Sequence, residues 1–576
     1  MEKSAAVKDI LIIVFSFSLL SFAQEISPFG MGIYPGRFSP NKLSKVLKLA
    51  NAAGIKWTRM DFYWPEIEPW QGNFSWDQLD WQVDSVRAHS IKILGILGFT
   101  PEWVSHYAPT TIEQRELFGH YVYETVKHFK GRVDYWEIWN EPNGGSFWKP
   151  RPNVEDYTKL LKIAYIEAKK GNPNCTVLAP GLSNMDTDFI EGIYEHGGGK
   201  YFDVFSFHPY PSYSWGPPDV NLVWGAKAIR KIMCRYGKVK PFWISEFGYS
   251  TRVSGVPEEM QAVNLVRGYV QGIALHFEDI MWYDFIDDGV DIQDNEMSWG
   301  VLNHDYIPKP SYAAYKKMTE MLASSRFEKS IFGNEGQVRG MLFKRSNKRI
   351  IVLWSVKGIS GIELKVGVKQ VTLTNLYGNV SRIACPDGVL KLHLSESPVY
   401  VSDFTVTPVR LDRTISAFVP RQWLVCGPFL SSKDNGLQAD FLKSQGGESA
   451  VEPKPGEIVK NDSLPEGKTN WKQFETDEVG VGNLISIFKP NENVVAYAFC
   501  NIKSDANRTA VLDVSSDDGN KVWINHQDVL LDHNHRKVWE GERLVEVRLY
   551  KGSNPCLMKI ENRAGGWGFY LRVLGN

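Results

Sequence analysis

From residue 29 to residue 288, short apolar runs alternate with longer amphipathic stretches. The apolar runs are Phe29–Tyr34, Lys56–Phe62, Lys92–Phe99, Val133–Pro142, Thr176–Leu182, Phe202–Tyr210, Pro241–Tyr249 and Asp279–Phe285. Their length and their β-branched and aromatic residues predict strands. The stretches between them repeat apolar residues at helical spacing. Asn41–Ala53 stops at Gly54 and Asp156–Lys170 at Gly171, the residue type that closes a helix. Strand followed by helix, eight times over, predicts a (β/α)8 barrel across residues 24–328. An open doubly wound sheet would need a glycine-rich phosphate turn after its first strand, and GIYPGRF at 32–38 is a poor one.

After a last helix at Tyr312–Ala323 the period changes from helical to two. Gly340–Lys344, Arg349–Trp354, Leu364–Val368, Val371–Leu376, Val389–Leu394 and Val399–Ser402 alternate between turn signals, which predicts a small antiparallel β-sandwich over 329–408. Residues 409–421 read as a linker. A second all-β module follows at 422–576, with strands at Trp423–Gly427, Val494–Asn501, Thr509–Ser515, Lys521–Asn525, Arg543–Leu549 and Leu557–Asn562. Residues 431–470 within it are rich in Gly, Ser, Pro and charge and read as loop.

The first 23 residues form an export signal. Lys3 and Lys8 supply the basic start, Ile10–Leu20 is an apolar run too short to span a bilayer, and Ser21-Phe22-Ala23 offers a cleavage site before Gln24. The mature chain is then expected outside the cytoplasm, secreted or periplasmic, with no transmembrane segment. Six scattered cysteines follow neither a disulfide framework nor a metal spacing, and most read as buried free thiols. The net charge of −1 gives no electrostatic footprint for nucleic acid. Aromatic residues are abundant, with 20 Trp, 24 Tyr and 30 Phe. Flat indole faces suit sugar rings, although many of these residues are needed simply as core.

In a (β/α)8 barrel the active site lies at the strand C-termini. There the sequence places Arg59 and Asp61 (second strand), Asn140 and Glu141 (fourth), His208 and Tyr210 (sixth), Glu246 (seventh), and Trp282 with Asp284 (eighth). Glu141 and Glu246 thus point into one mouth. Glycoside hydrolysis needs such a pair, one carboxyl to protonate the leaving oxygen and one to attack or to activate water. A single glutamate at a strand end is usually a surface or salt-bridge residue; two on independent strands are harder to dismiss. Glu137 faces the same side as Glu141 but deeper, as either a buried partner or a lining residue. Glu66 and Glu68 read as structural or rim residues, and Asp61 and Asp284 as supports behind the site. His208 has the alternative of a packed core histidine. No GxSxG elbow or HExxH zinc motif appears, and the reading calls for no metal and no cofactor.

WEIWNEPN at 136–143 and WISEFGYS at 243–250 resemble the acid/base and nucleophile segments of glycoside hydrolase clan A, most like family 39 and relatives near family 5. MDFYWPEIEPWQGNFSWDQLD at 60–80, FSFHPY at 205–210 and the stretch from WYDFIDDG to SWGVLNHDYIPKPSYAAYKKM at 282–318 extend the resemblance over the barrel. The resemblance implies a retaining mechanism on a carbohydrate substrate, with Glu141 as acid/base and Glu246 as nucleophile. It also implies that Asn140 binds the sugar 2-hydroxyl, that Arg59 and Tyr210 flank the nucleophile, that His208 lines the site, and that Trp282 forms the platform under the cleaved sugar. If configuration is retained, the two carboxyls stand about 5–5.5 Å apart; near 9 Å would mean inversion. SSDDGNKVWINHQDVL at 515–530 and GGWGFYLRV at 565–573 are similar to sugar-binding jelly rolls of the protective-antigen type, which implies a jelly-roll fold for 422–576. That similarity would allow Asp517 and Asp518 to hold calcium, though Asp-Asp-Gly is equally a plain turn. The competing function is a non-catalytic carbohydrate-binding protein on a degenerate barrel, which loss of either glutamate would favour; both are present.

Overall fold

The structure, a computed structural model, describes residues 27–574 apart from 211–217, 254, 295, 333–336, 411–416, 432–435, 478–479 and 533–542. The export signal therefore lies outside the described residues.

Eight parallel strands close into a barrel: β1 (Phe29–Met31), β2 (Trp57–Tyr63), β3 (Lys92–Gly98), β4 (Tyr135–Ile138), β5 (Thr176–Ser183), β6 (Val204–His208), β7 (Phe242–Phe247) and β8 (Phe277–Trp282), with β8 pairing back to β1. The helices that follow them are α1 (Pro40–Ala52), α2 (Asp77–Arg87), α3 (Ile112–His128), α4 (Val154–Gly171), α5 (Thr187–Glu195), α6 (Pro218–Tyr236), α7 (Glu258–Ala274) and α8 (Pro310–Leu322). Their starts follow local chemistry. Thr111 and Gln114 form a reciprocal capping box on α3, and Asn153 and Asp186 accept backbone N–H groups at the starts of α4 and α5. The fold class read from the alternation is the one observed.

The barrel interior is layered. At the strand starts, Trp57, Leu94, Leu178, Val204, Trp243 and Met281 form an apolar cluster with Tyr135 against it. Trp57 meets Trp243 and Tyr135 edge-on at 4.9 and 4.8 Å, and this plug closes the lower end. The next inward positions on the same strands are Arg59, Glu137 and Ser245, because successive inward side chains are two residues apart. Polarity therefore begins one step above the plug.

A six-stranded antiparallel sheet (order 380–384, 370–374, 399–402, 348–355, 338–345, 326–330) and a three-stranded one (389–394, 360–365, 409–410) make the first sandwich. Met341, Phe343, Val352, Trp354, Leu376 and Tyr400 belong to the same apolar core as the barrel. Arg267 of α7 crosses this seam fully buried. It donates to Asp219 of α6 at 2.8 Å and to the Val356 carbonyl at 2.8 Å, and lies 3.5 Å from Glu396. The stretch read as a linker is shorter than expected: Val409–Arg410 pairs with Leu364–Lys365, and Ala417–Phe418 pairs with Val573–Leu574.

The C-terminal module is two facing antiparallel sheets with their own core, including Val425, Ala498, Leu512, Ile560 and Leu571. Much of 431–470 is not free loop. Phe441, Leu442, Val451, Val459 and Leu464, followed by Trp471, cover the outer face of the six-stranded sheet. Lys559, fully buried, fastens this cover by donating to the Leu437 and Ala439 carbonyls at 3.2 and 2.6 Å and to Glu448 at 2.8 Å. Asp518 accepts the backbone N–H of Arg563 at 2.6 Å, tying its turn to the end of the strand at 552–562. All six cysteines are unpaired, and five are buried.

Candidate active site

The upper end of the barrel gathers most of the expected residues, each for a local reason. Glu246 would point outward if β7 kept strict alternation after Ser245. The β7–β8 register shifts between Ile244 and Phe247, and this bulge lets Ser245 and Glu246 both face the interior. Glu141 lies just past β4 with φ 44°, and Trp139 has φ 70°. Left-handed backbone at non-glycine residues costs about 1–3 kcal/mol each and is typical of functional sites. The Glu141 N–H donates to the Gly181 carbonyl at 2.9 Å, fixing the turn.

An oxygen of Glu141, a ring nitrogen of His208 and an oxygen of Glu246 lie within 4.8 Å of one another. Among the described residues this is the one convergent trio of metal-ligand side-chain types. Here the Arg59 guanidinium already supplies positive charge to Glu246. His208 Nδ1 is 2.9 Å from Glu141 and 3.6 Å from Glu246, and its Nε2 is 3.1 Å from Ser245 Oγ. Tyr210 donates to Glu246 Oε2 at 3.0 Å, and the Tyr34 hydroxyl is 3.5 Å from Oε1. Arg59 also donates to Glu137 from Nε and Nη2 at 2.9 and 2.7 Å and to Asn140 Oδ1 at 2.7 Å. Glu137 is fully buried, so the structure chooses the buried-partner reading over the lining one. It holds the arginine that faces the second glutamate.

The electrostatics follow from burial and these contacts. Burial pushes the Glu141 carboxyl up, but the His208 hydrogen bond and charge, with Arg59, outweigh it and leave it below the ordinary value. Burial pushes His208 down, and the Glu246 charge and the Glu141 hydrogen bond carry it above 6.5. One proton is thus shared between Glu141 and His208, on the imidazole side at rest. Burial and then Glu246 raise the Tyr34 and Tyr210 hydroxyls far enough to keep both as neutral donors.

Trp282 is a correction. It is fully buried, 5.0 Å edge-on to Phe247 and stacked on Tyr249 at 6.2 Å, and presents no face to a sugar. The reason is alternation: Met281 joins the lower plug, so Trp282 points outward to the helices and Tyr283 is the next inward residue. Tyr283 is partly exposed and meets Tyr34, Tyr210 and Trp299 edge-on at 5.8, 6.5 and 5.9 Å. Counting by twos from Met281 would have found it. Tyr34 and Ser245 were also missed; nothing in the sequence separates a tyrosine after β1 or a serine before Glu246 from ordinary lining. Asp284 is buried against Arg37, 2.9 Å away, and Glu68 accepts from the Trp64 indole and the Gly72 N–H, both at 2.7 Å. Both are supports, as read.

No protein-family model matches the chain. A stretch of 153 residues is 31% identical to the anti-sigma-I factor RsgI6 of Acetivibrio thermocellus, covering 23% of this chain and a fifth of that protein's length. Among solved structures, a family 39 glycoside hydrolase from the gut symbiont Bacteroides cellulosilyticus WH2 superposes with a TM-score of 0.58 at 25% identity, over 65% of this chain and 80% of that one. A monomeric β-xylosidase from Caulobacter crescentus CB15 is similar at a TM-score of 0.48 and 16% identity, over 66% and 97%. The fold is thus that of a clan A glycoside hydrolase, and the likeness to family 39 drawn from WEIWNEPN and WISEFGYS extends to three dimensions.

Proposed function

We propose that this protein is an exported glycosidase that hydrolyses O-glycosidic, β-linked bonds of an oligo- or polysaccharide with retention, Glu141 serving as acid/base and Glu246 as nucleophile. The observation that carries this reading is the separation of the two carboxylates, whose facing oxygens lie within 4.8 Å. Retaining enzymes hold their carboxyls about 5–5.5 Å apart, whereas inverting ones leave about 6.5–9.5 Å for a water. Export rests on Lys3, Lys8 and the apolar run Ile10–Leu20.

In this mechanism Glu246 attacks the anomeric carbon while Glu141 gives a proton to the departing oxygen. Arg59 and Tyr210 keep Glu246 ionised and aimed until then. The proton reaches Glu141 across its 2.9 Å contact with His208. Esterification removes the Glu246 charge, the largest influence raising His208. Glu141 then takes a proton from water, which attacks the anomeric carbon and frees Glu246. Asn140, anchored by Arg59, stands beside the nucleophile to meet the 2-hydroxyl. The test is a panel of aryl β-glycosides (xyloside, glucoside, galactoside, glucuronide) and polysaccharides with wild type and Glu246→Gln. Turnover by wild type, abolished in the variant, with the first-formed product keeping its anomeric configuration, is expected. Inverted product, or equal turnover by both proteins, would overturn the reading.

A further inference from the structure

The acid/base residue marks where a leaving group must rest. The departing oxygen lies within hydrogen-bond reach of Glu141 while the anomeric carbon faces Glu246. The surface running from Glu141 away from β7 therefore belongs to the leaving sugar. The loop between β4 and α4, which carries Glu141 itself, is tightly tied. The Gly144 N–H donates to the Glu141 carbonyl at 2.8 Å, the Phe147 and Trp148 N–H groups donate to the Gly144 carbonyl at 3.1 and 2.9 Å, and the Trp139 indole donates to the Phe147 carbonyl at 3.1 Å.

Within this rigid turn two aromatic neighbours behave oppositely. Trp148 is 1% exposed, whereas Phe147 is 36% exposed. A methyl group placed on Gly144 would sit 3.6 Å from Phe147 Cδ2 and 3.7 Å from Glu141 Cβ, so ring and acid stem flank the same glycine. One residue beyond Trp148, the Lys149 carbonyl accepts the Ala108 N–H at 3.3 Å, stitching on the loop between β3 and α3. That loop presents Tyr107, 54% exposed, beside the stitch. Two exposed rings thus stand on loops that the backbone joins, Phe147 beside the glycine that also meets the Glu141 stem and Tyr107 next to the Ala108–Lys149 stitch.

We propose that Phe147, with Tyr107 beyond it, forms a leaving-group subsite that stacks on sugar rings, so the bond cleaved lies within a glycan and not between a sugar and a small alcohol. Aromatic faces suit the apolar faces of sugar rings, and a half-exposed ring on an immobilised turn loses little entropy on binding. The inference rests on Glu141 being the acid.

The experiment compares kcat and KM on two substrates sharing one glycone, a glycosyl fluoride, whose leaving group is one atom, and the matching β-linked tetrasaccharide. Xylosyl fluoride and β-1,4-xylotetraose are the first pair, replaced by whichever glycone the aryl panel selects. Phe147→Ala is expected to lower the ratio of tetrasaccharide to fluoride kcat/KM about tenfold, mainly through KM, and Phe147→Tyr to restore it. Tyr107→Ala should lower the ratio about threefold on the tetrasaccharide and leave it unchanged on the disaccharide. A ratio within twofold of wild type in Phe147→Ala, or Phe147→Tyr as impaired as the alanine variant, would overturn the proposal. Wild-type protein inert on fluoride and tetrasaccharide alike would instead overturn the catalytic reading beneath it.

Discussion

At the lower end of the barrel the inward residues are Trp57, Tyr135 and Trp243; two residues further along the same strands they are Arg59, Glu137 and Ser245. The strands, the pairing and the enclosing helices are shared. Only the chemistry of alternate positions changes, and with it what each end contributes. Below, edge-on indoles stabilise mainly by burial, the Trp243 N–H being met by Glu278 at 3.2 Å. Above, buried charges are held in one hydrogen-bonded set at a desolvation cost, retained because the set aims two carboxylates at one point. The lesson is that stability and chemistry are separated along each strand by a single period of the pleat.

The sharpest way to test that separation is at the carboxylates. Glu246→Ala should lower kcat by at least about 10⁴-fold while the protein stays folded, because Arg59 keeps Glu137 as its buried partner. Glu141→Ala should still form the glycosyl-enzyme from a dinitrophenyl glycoside, whose leaving group needs no proton, and then stall. Added azide should restart it and give a glycosyl azide of the starting configuration. Azide products from Glu246→Ala should have the opposite configuration, and the reverse assignment would swap the two roles.

Where the two layers meet, both quantities should move. Glu137→Gln leaves Arg59 buried with half its compensation. It is expected to cost about 3–5 kcal/mol in denaturant unfolding and about 10²-fold in kcat/KM as the arginine loses its aim. Loss of one quantity without the other would show the layers to be independent. Below, Trp243→Ala should cost about 3–5 kcal/mol of stability while the folded fraction keeps kcat within about twofold, measured by active-site titration; a large loss of kcat would break the comparison.

Acidity gives a smaller effect. The shared proton is held until the pH rises through the raised value of His208, so the alkaline limb of kcat/KM should lie above pH 6.5. In His208→Asn the proton must sit on a carboxyl, and the limb should move about one unit or more toward acid. An unmoved limb would mean that another group titrates. The smallest expected change comes from ending the chain after residue 410, which should leave turnover of a small aryl glycoside within about twofold, because the C-terminal sandwich has its own cores and supplies none of the site residues described.

The barrel was legible because each strand and helix announces its own period, and Glu141 and Glu246 because they close two of those strands. What the sequence concealed depends on distant partners. The inward turn of Glu246 needs the β7–β8 bulge, and Glu137 became the arginine's anchor only when β2 and β4 were both in place. Trp282 went wrong for a local reason, a phase error of one residue in β8. Residues 431–470 looked like loop because their apolar residues keep no period; they are spaced to cover a sheet most of whose strands come later in the chain.

Arg267 bears on where this chain can be divided. Fully buried at the seam between barrel and first sandwich, it takes partners from both sides: Asp219 from one, the Val356 carbonyl and Glu396 from the other. A gene fragment ending near residue 328 would encode a barrel whose Arg267 keeps Asp219 but loses the Val356 carbonyl and Glu396, with the apolar flank that meets Met341, Phe343, Val352, Trp354, Leu376 and Tyr400 laid bare. The physical unit is therefore barrel plus first sandwich, which share one apolar core, while the C-terminal module rests on cores of its own.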